Sequence, residues 1–173
     1  SRSSQDRSSP MLAPGPDIVA EQIALFLGKN FVRSFQETPG DCFDPLRERI
    51  RQGKGRLRTA KADYLFYTLL DAIVDQYFPV IHELEQDLQI VEDKVFKEKP
   101  SRETTEHIYQ LKRELLEVKR ATSPLVDICN RLTRFEIKCI SEETRPYFRD
   151  VYDHAIRINE VVDNTRELLN TAL

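Results

Sequence analysis

No apolar run in this sequence approaches the ~20 residues that a bilayer-crossing helix needs. The longest, from Tyr64 to Leu70, is already interrupted by Thr68. Glycine is scarce at 5 of 173 residues, Trp is absent and Met occurs once. That balance excludes collagen-like, mucin-like and disulfide-scaffold chains and favours helix. The opening SRSSQDRSSP has no apolar core of the signal-peptide kind. Cys42, Cys129 and Cys139 are odd in number and form no C-x-x-C pair. They read as free thiols in a reducing compartment, and no Cys/His spacing supports structural zinc. Catalytic signatures are missing too: there is no G-x-S-x-G, H-E-x-x-H, Walker loop or G-x-G-x-x-G. His82, His107 and His154 are scattered over separate helical segments, so no enzyme is expected.

What is present is charge. Asp, Glu, Lys and Arg make up 32% of the chain, hydrophobic residues 40%, and the net charge is -3. At pI about 5.7 there is no overall attraction to nucleic acid. The basic run Arg47, Arg49, Arg51, Lys54, Arg56, Arg58 and Lys61 has no interleaved aromatic for base stacking. It reads as a solvated or ion-paired face. The length suits one domain, or one domain with an extension.

Along the chain, residues 1–17 form a Ser-, Arg-, Pro- and Gly-containing leader, flexible or vector-derived. Apolar runs Gln22–Leu27 and Phe31–Phe35 flank Gly28-Lys29-Asn30, which predicts a hairpin with a three-residue loop. Asp44-Pro45 predicts a helix cap followed by proline at the first helical position, with the helix stopping at Gly53. A long helical stripe then runs from near Thr59 to Pro100, with a kink or a lost hydrogen bond at Pro79. Ser101 predicts the cap of a second long helix reaching roughly Ile140 and kinked at Pro124. Thr144 predicts the cap of a last helix with Pro146 in its first turn. Its seam Val151, Ala155, Ile158, Val162, Thr165, Leu169 and Ala172 alternates steps of four and three, as in a heptad. A lone hairpin is marginal in water, and the last helix has no stop signal, so both ends are expected to continue in a longer protein.

The acids are spaced as if to share a task. Asp71 and Asp75 lie four apart, as do Asp150 and His154. Asp150, Asp153, Glu160 and Glu167 line one edge of the last helix, away from its seam. Like charges on one edge repel, and a hard divalent cation relieves that repulsion. A solvated coiled-coil face is the plainer alternative.

Three stretches carry a specific likeness: ETPGDCFDPLRERIRQGKGRLRTAKADYLFYTLLDAIVDQYF from Glu37 to Phe78, LKRELLEVKR from Leu111, and PYFRDVYDH from Pro146. Together they resemble the cytosolic domain of CorA-type magnesium and cobalt channels, from roughly Glu21 onward. The resemblance implies an α+β, mostly α chain: a partial αβα cytosolic domain with a β-hairpin, a long antiparallel helical hairpin and the start of a stalk helix. Residues 18–143 would be the C-terminal part of that domain, and 144–173 the start of the stalk. The helices around Glu83–Glu106 resemble the family's acidic hairpin beside the stalk. The family's membrane helices and its Gly-Met-Asn selectivity motif are absent from the sequence. The resemblance further implies a homopentamer in the inner or plasma membrane, with this part on the cytoplasmic side sensing Mg²⁺ or Co²⁺; the charge balance already argues against a nucleic-acid partner.

It also selects among the acids. Asp150 matches a stalk aspartate that binds a divalent ion across the subunit seam, opposite an acid in a neighbour's Leu-Glu-Asp motif. Asp71, in LLDAIVD, matches a second nearby site. Asp75, Asp153 and His154 are candidates for an outer, supporting shell. The rival readings are a ZntB-like zinc transporter domain and a plain helical scaffold.

Overall fold

The computed structural model describes residues 20–37, 42–53, 55–97, 101–134 and 136–171. The 1–17 leader and Ala172 lie outside the described residues. The first element is an antiparallel hairpin of β1 (Ile23–Leu27) and β2 (Val32–Gln36). Leu27 pairs with Val32, so the loop has four residues rather than three, closed by Gly28 N–H donating to Phe31 O at 2.9 Å. Phe31 is apolar enough to read as strand, yet it is exposed and belongs to the loop. Ile23, Leu25 and Val32 pack inward around Phe43, Leu46 and Leu69. Phe26 and Phe35 pair edge-to-face on the open side, at 5.8 Å.

Helix α1 (Asp44–Gln52) begins one residue earlier than the Asp44 cap predicts. Phe43 holds the cap position, while Asp44 sits in the first turn and takes an ion pair from Arg47 at 2.9 Å. The helix stops at Gly53, whose φ of 66° is the left-handed conformation open to glycine. A short 3-10 turn, Arg56–Arg58, leads into α2 (Ala62–Asp75).

The long stripe from Thr59 to Pro100 is two helices, not one. After α2 comes α3 (Tyr77–Lys97), with Gln76 between them. Proline clashes with the carbonyl four residues back, and for Pro79 that residue is Asp75, where α2 ends. Pro79 therefore breaks the rod just before itself and sits in the first turn of α3, where no N–H is missed.

Helix α4 (Arg102–Arg134) starts as the Ser101 cap predicts, with Ser101 Oγ accepting from Thr104 N–H at 3.1 Å. It ends at Arg134, short of Ile140, and Pro124 lies inside a continuous helical span. Helix α5 (Arg145–Thr171) follows Thr144. The main core gathers Leu84, Leu88 and Val91 of α3, Leu111, Leu115 and Val118 of α4, and the α5 seam. That seam is buried at Val151, Ala155, Ile158, Val162, Thr165 and Leu169, as the heptad spacing predicts. The described residues are thus mostly helical with one two-stranded sheet. No described helix is long and apolar enough to cross a membrane.

Candidate metal centre

Helices α2 and α5 meet through an aromatic layer. Tyr67 lies 5.0 Å from Tyr147 and 6.1 Å from Phe148, and Tyr64 meets Tyr147 edge-on at 5.3 Å. Arg56 closes the outer side of this layer, donating to the Tyr147 hydroxyl at 2.9 Å and pairing with Glu143 at 3.7 Å. Its guanidinium also lies over the Tyr64 and Tyr147 rings. Elsewhere the basic run finds local partners, such as Glu48 for Arg51.

Beyond the aromatic layer, the Asp71/Asp75 pair and the His154 end of the second spacing point their side chains into the same space. Asp71 and Asp75 come from the C-terminal half of α2, and His154 from the third turn of α5. One donor atom from each of these three lies within 4.8 Å of the other two. His154 Nδ1 is 4.0 Å from an Asp71 oxygen and 3.9 Å from an Asp75 oxygen, too far for a hydrogen bond. That nitrogen is buried and has no hydrogen-bond partner. The ring is held edge-on to Phe78 at 5.7 Å.

Electrostatics add to the strain. Burial raises the Asp71 carboxyl above the ordinary carboxylate range, and the Asp75 charge raises it further. His154 and a hydrogen bond from Tyr67 pull the other way, while Asp150 adds a further upward push. Tyr67 itself is pushed up to about 12, first by burial and then by the Asp71 charge. It therefore stays protonated and donates to Asp71. Asp75 ends α2, where the helix dipole is negative, so the backbone adds to the local excess of negative charge. A cleft of about 190 Å³ opens beside these acids, lined by Arg49, Tyr64, Tyr67, Asp71 and Asp75.

Of the residues singled out from sequence, Asp71, Asp75 and His154 are brought together. Asp150 is exposed but close enough to act on the charges of Asp71 and Tyr67. Asp153 is exposed and outside the cluster. Sequence reasoning passed over Tyr67, although it stands four residues before Asp71 on the same helical face. Two carboxylates and an imidazole suit a divalent ion: oxygen donors serve hard Mg²⁺, and the imidazole adds affinity for Co²⁺ or Zn²⁺.

Comparison with known proteins agrees with the sequence likeness. The family model described as CorA-like Mg2+ transporter protein matches residues 9–173. The chain is 43% identical over 157 residues to the cobalt/magnesium transport protein CorA of Thermotoga maritima, covering 91% of this chain and 44% of that protein. It is 29% identical over 150 residues to the putative metal ion transporter YfjQ of Bacillus subtilis, covering 86% and 46%. The chain thus spans about half the length of these relatives. In fold it is similar to the soluble domain of CorA from Methanocaldococcus jannaschii, with a TM-score of 0.68 at 20% identity, covering 88% of this chain and 66% of that one.

Proposed function

The chain belongs to the CorA-like Mg²⁺ transporter protein family, and from that premise we propose that it is the cytoplasmic divalent-sensing part of a Mg²⁺ and Co²⁺ transporter. The observation that carries this reading is the convergence of Asp71, Asp75 and His154, with His154 Nδ1 buried and unpartnered. In the assembled protein, a homopentamer in the membrane, Asp150 and an acid from a neighbouring subunit complete the binding region. A bound divalent ion supplies positive charge that the cluster lacks. Asp71 and Asp75 repel each other without it, and Tyr67 holds Asp71 oriented through its hydroxyl. Because α5 continues toward the membrane in this reading, any bias in how α5 sits against its neighbours is passed along a rigid helix. Binding that is tighter in the closed ring than in the open one favours closure by that difference in affinity.

The test is a thermal melt of this chain in chelator and in millimolar CoCl₂ or MgCl₂. Stabilisation by ligand follows its concentration over Kd, and tenfold excess gives about 1.4 kcal/mol. Wild type gains stability, more with Co²⁺ than with Mg²⁺ at equal concentration, and the double variant Asp71→Asn, His154→Ala gains none. In the membrane-embedded protein, Asp150→Lys moves Mg²⁺-dependent protease protection to higher Mg²⁺. Equal gains in wild type and the double variant would sink the reading.

A further inference from the structure

Among the described residues Asp63 is the one fully buried acid, at 3% exposure. It stands in the first turn of α2, where the helix dipole welcomes negative charge. One carboxylate oxygen accepts the Tyr64 N–H at 2.9 Å. The other accepts both the backbone N–H of Ser141 at 2.8 Å and its hydroxyl at 2.6 Å. Ser141 in turn opens the turn that leads into α5: its carbonyl accepts from the N–H groups of Thr144 at 3.1 Å and Arg145 at 3.3 Å. A single carboxylate therefore joins the beginnings of two helices that lie 78 residues apart in sequence.

Those are the two helices that carry the metal cluster, and the counts from the clamp match. Asp71 is eight residues beyond Asp63, and Asp150 is nine beyond Ser141. Asp75 is twelve beyond Asp63, and His154 is thirteen beyond Ser141. At roughly 1.5 Å per helical residue, Asp71 and Asp75 stand about 12–18 Å along α2 from Asp63. Asp150 and His154 lie five and nine residues past the start of α5 at Arg145, so the two helices climb in the same direction to the cluster. An axial slip of one helix by a single residue moves His154 by roughly 1.5 Å relative to the two carboxylates, against metal–ligand distances held to about 0.2 Å. Between clamp and cluster the two helices meet through ring contacts, which are less directional than the hydrogen bonds of the clamp.

We propose that Asp63 is a positioning residue for the divalent site, setting the axial register of α2 and α5 through Ser141. This rests on the metal reading of Asp71, Asp75 and His154. Asparagine cannot replace it fully: it has one acceptor oxygen where Asp63 uses two, so whichever way the amide turns, its NH₂ faces either the Ser141 donors or the Tyr64 N–H.

The test titrates CoCl₂ into the 173-residue chain and reads affinity from cobalt absorption, at a temperature where circular dichroism shows each variant folded. Asp63→Asn and Ser141→Ala are expected to weaken Co²⁺ binding between about twofold and thirtyfold, the range for couplings carried through packed networks. Ser141→Thr keeps the hydroxyl and the N–H and restores wild-type affinity. Leu111→Ala, in the core of α4 and outside the site, lowers stability by more than either variant yet leaves Co²⁺ affinity unchanged. If Asp63→Asn does not fold, the Ser141→Ala and Ser141→Thr pair decides the matter alone. Wild-type affinity in folded Ser141→Ala overturns the clamp and leaves the site standing. Equal Co²⁺ binding by wild type and Asp71→Asn, His154→Ala overturns both.

Discussion

Helix α5 is used in two ways along its length. From Ile158 onward it is a packing element whose polar groups find partners within the fold: Thr122 of α4 donates to Asn159 at 3.0 Å, Lys119 of α4 meets Asp163 at 2.6 Å, and the seam's own Thr165 donates to the Val161 carbonyl at 2.8 Å. Across its first three turns it faces α2, where among the described residues Asp71 and Asp75 have only the His154 ring nitrogen as an ion-pair partner, at 3.9–4.0 Å. The contrast separates polar groups that hold a fold from polar groups that await a ligand. A satisfied pair gives register and modest stability. An unsatisfied cluster costs stability, and that cost is recovered only when an outside charge arrives.

If the seam is structural and the α2 end functional, damage to each should appear in different measurements. The largest effect is expected in the core. Leu111 is 1% exposed, and Leu111→Ala should cost about 2–5 kcal/mol in urea denaturation. The comparison breaks if that variant also loses divalent-dependent stabilisation while folded. Next comes Thr122→Val, which removes a buried hydroxyl and leaves Asn159 Oδ1 without its donor; about 1 kcal/mol is expected by the same method. Lys119→Met keeps the apolar stem and deletes the charge facing a half-exposed Asp163. Its cost should lie at about 0.2–1 kcal/mol and shrink in molar salt. A cost that ignores salt would mean that the lysine acts through packing.

The two uses of α5 were not equally legible in the sequence. The seam is periodic, so its buried set could be read directly from residue spacing. The acid pairs were legible only separately: each spacing of four marks one helix face, but nothing local says that the faces meet. That meeting is tertiary, made by residues nearly 80 positions apart. The Asp63 clamp left no trace for the same reason, since an acid in a helix's first turn is ordinary and Ser141 carries no motif. Where local reading failed on the fold, a competing local effect decided. Phe31 is hydrophobic but caps a loop, and the stripe through Pro79 continues although the backbone cannot. The family resemblance supplied what periodicity could not, by tying LLDAIVD and PYFRDVYDH to one region.

The smallest expected effect has the opposite sign and probes the comparison most sharply. Asp63 and Asp71 lie two turns apart on α2 and titrate in opposite directions. Burial alone would raise the Asp63 carboxyl, but hydrogen bonds from Ser141, Thr144 and Tyr64 outweigh it and hold the group below the ordinary range. Burial and the Asp75 charge raise Asp71. The ordinary Asp value, about 3.9, serves for the unfolded chain. For Asp63 the folded value is the lower one, so its contribution is present above the ordinary value and is lost as pH falls through the folded value. For Asp71 the folded value is the higher one. The unfolded chain releases its proton first, so stability drops as pH rises from the ordinary value to the raised one, and the cost stands in full at neutral pH. Asp71→Asn removes that cost and the repulsion with Asp75 four residues on, while its amide oxygen still accepts from Tyr67. In chelator near pH 7 the variant should therefore be more stable than wild type, by about 0.2–0.5 kcal/mol for the paired-charge part alone. The advantage should shrink as pH falls through the raised value and disappear below about 3, where the wild-type group is protonated in both states. With millimolar Co²⁺ the order should reverse, because only wild type keeps both carboxylates. Melts of the two proteins in chelator and in Co²⁺ across that pH range read all three outcomes. A variant less stable than wild type in chelator at neutral pH would mean that Asp71 is already satisfied, and that the two halves of α5 do not differ in the way described.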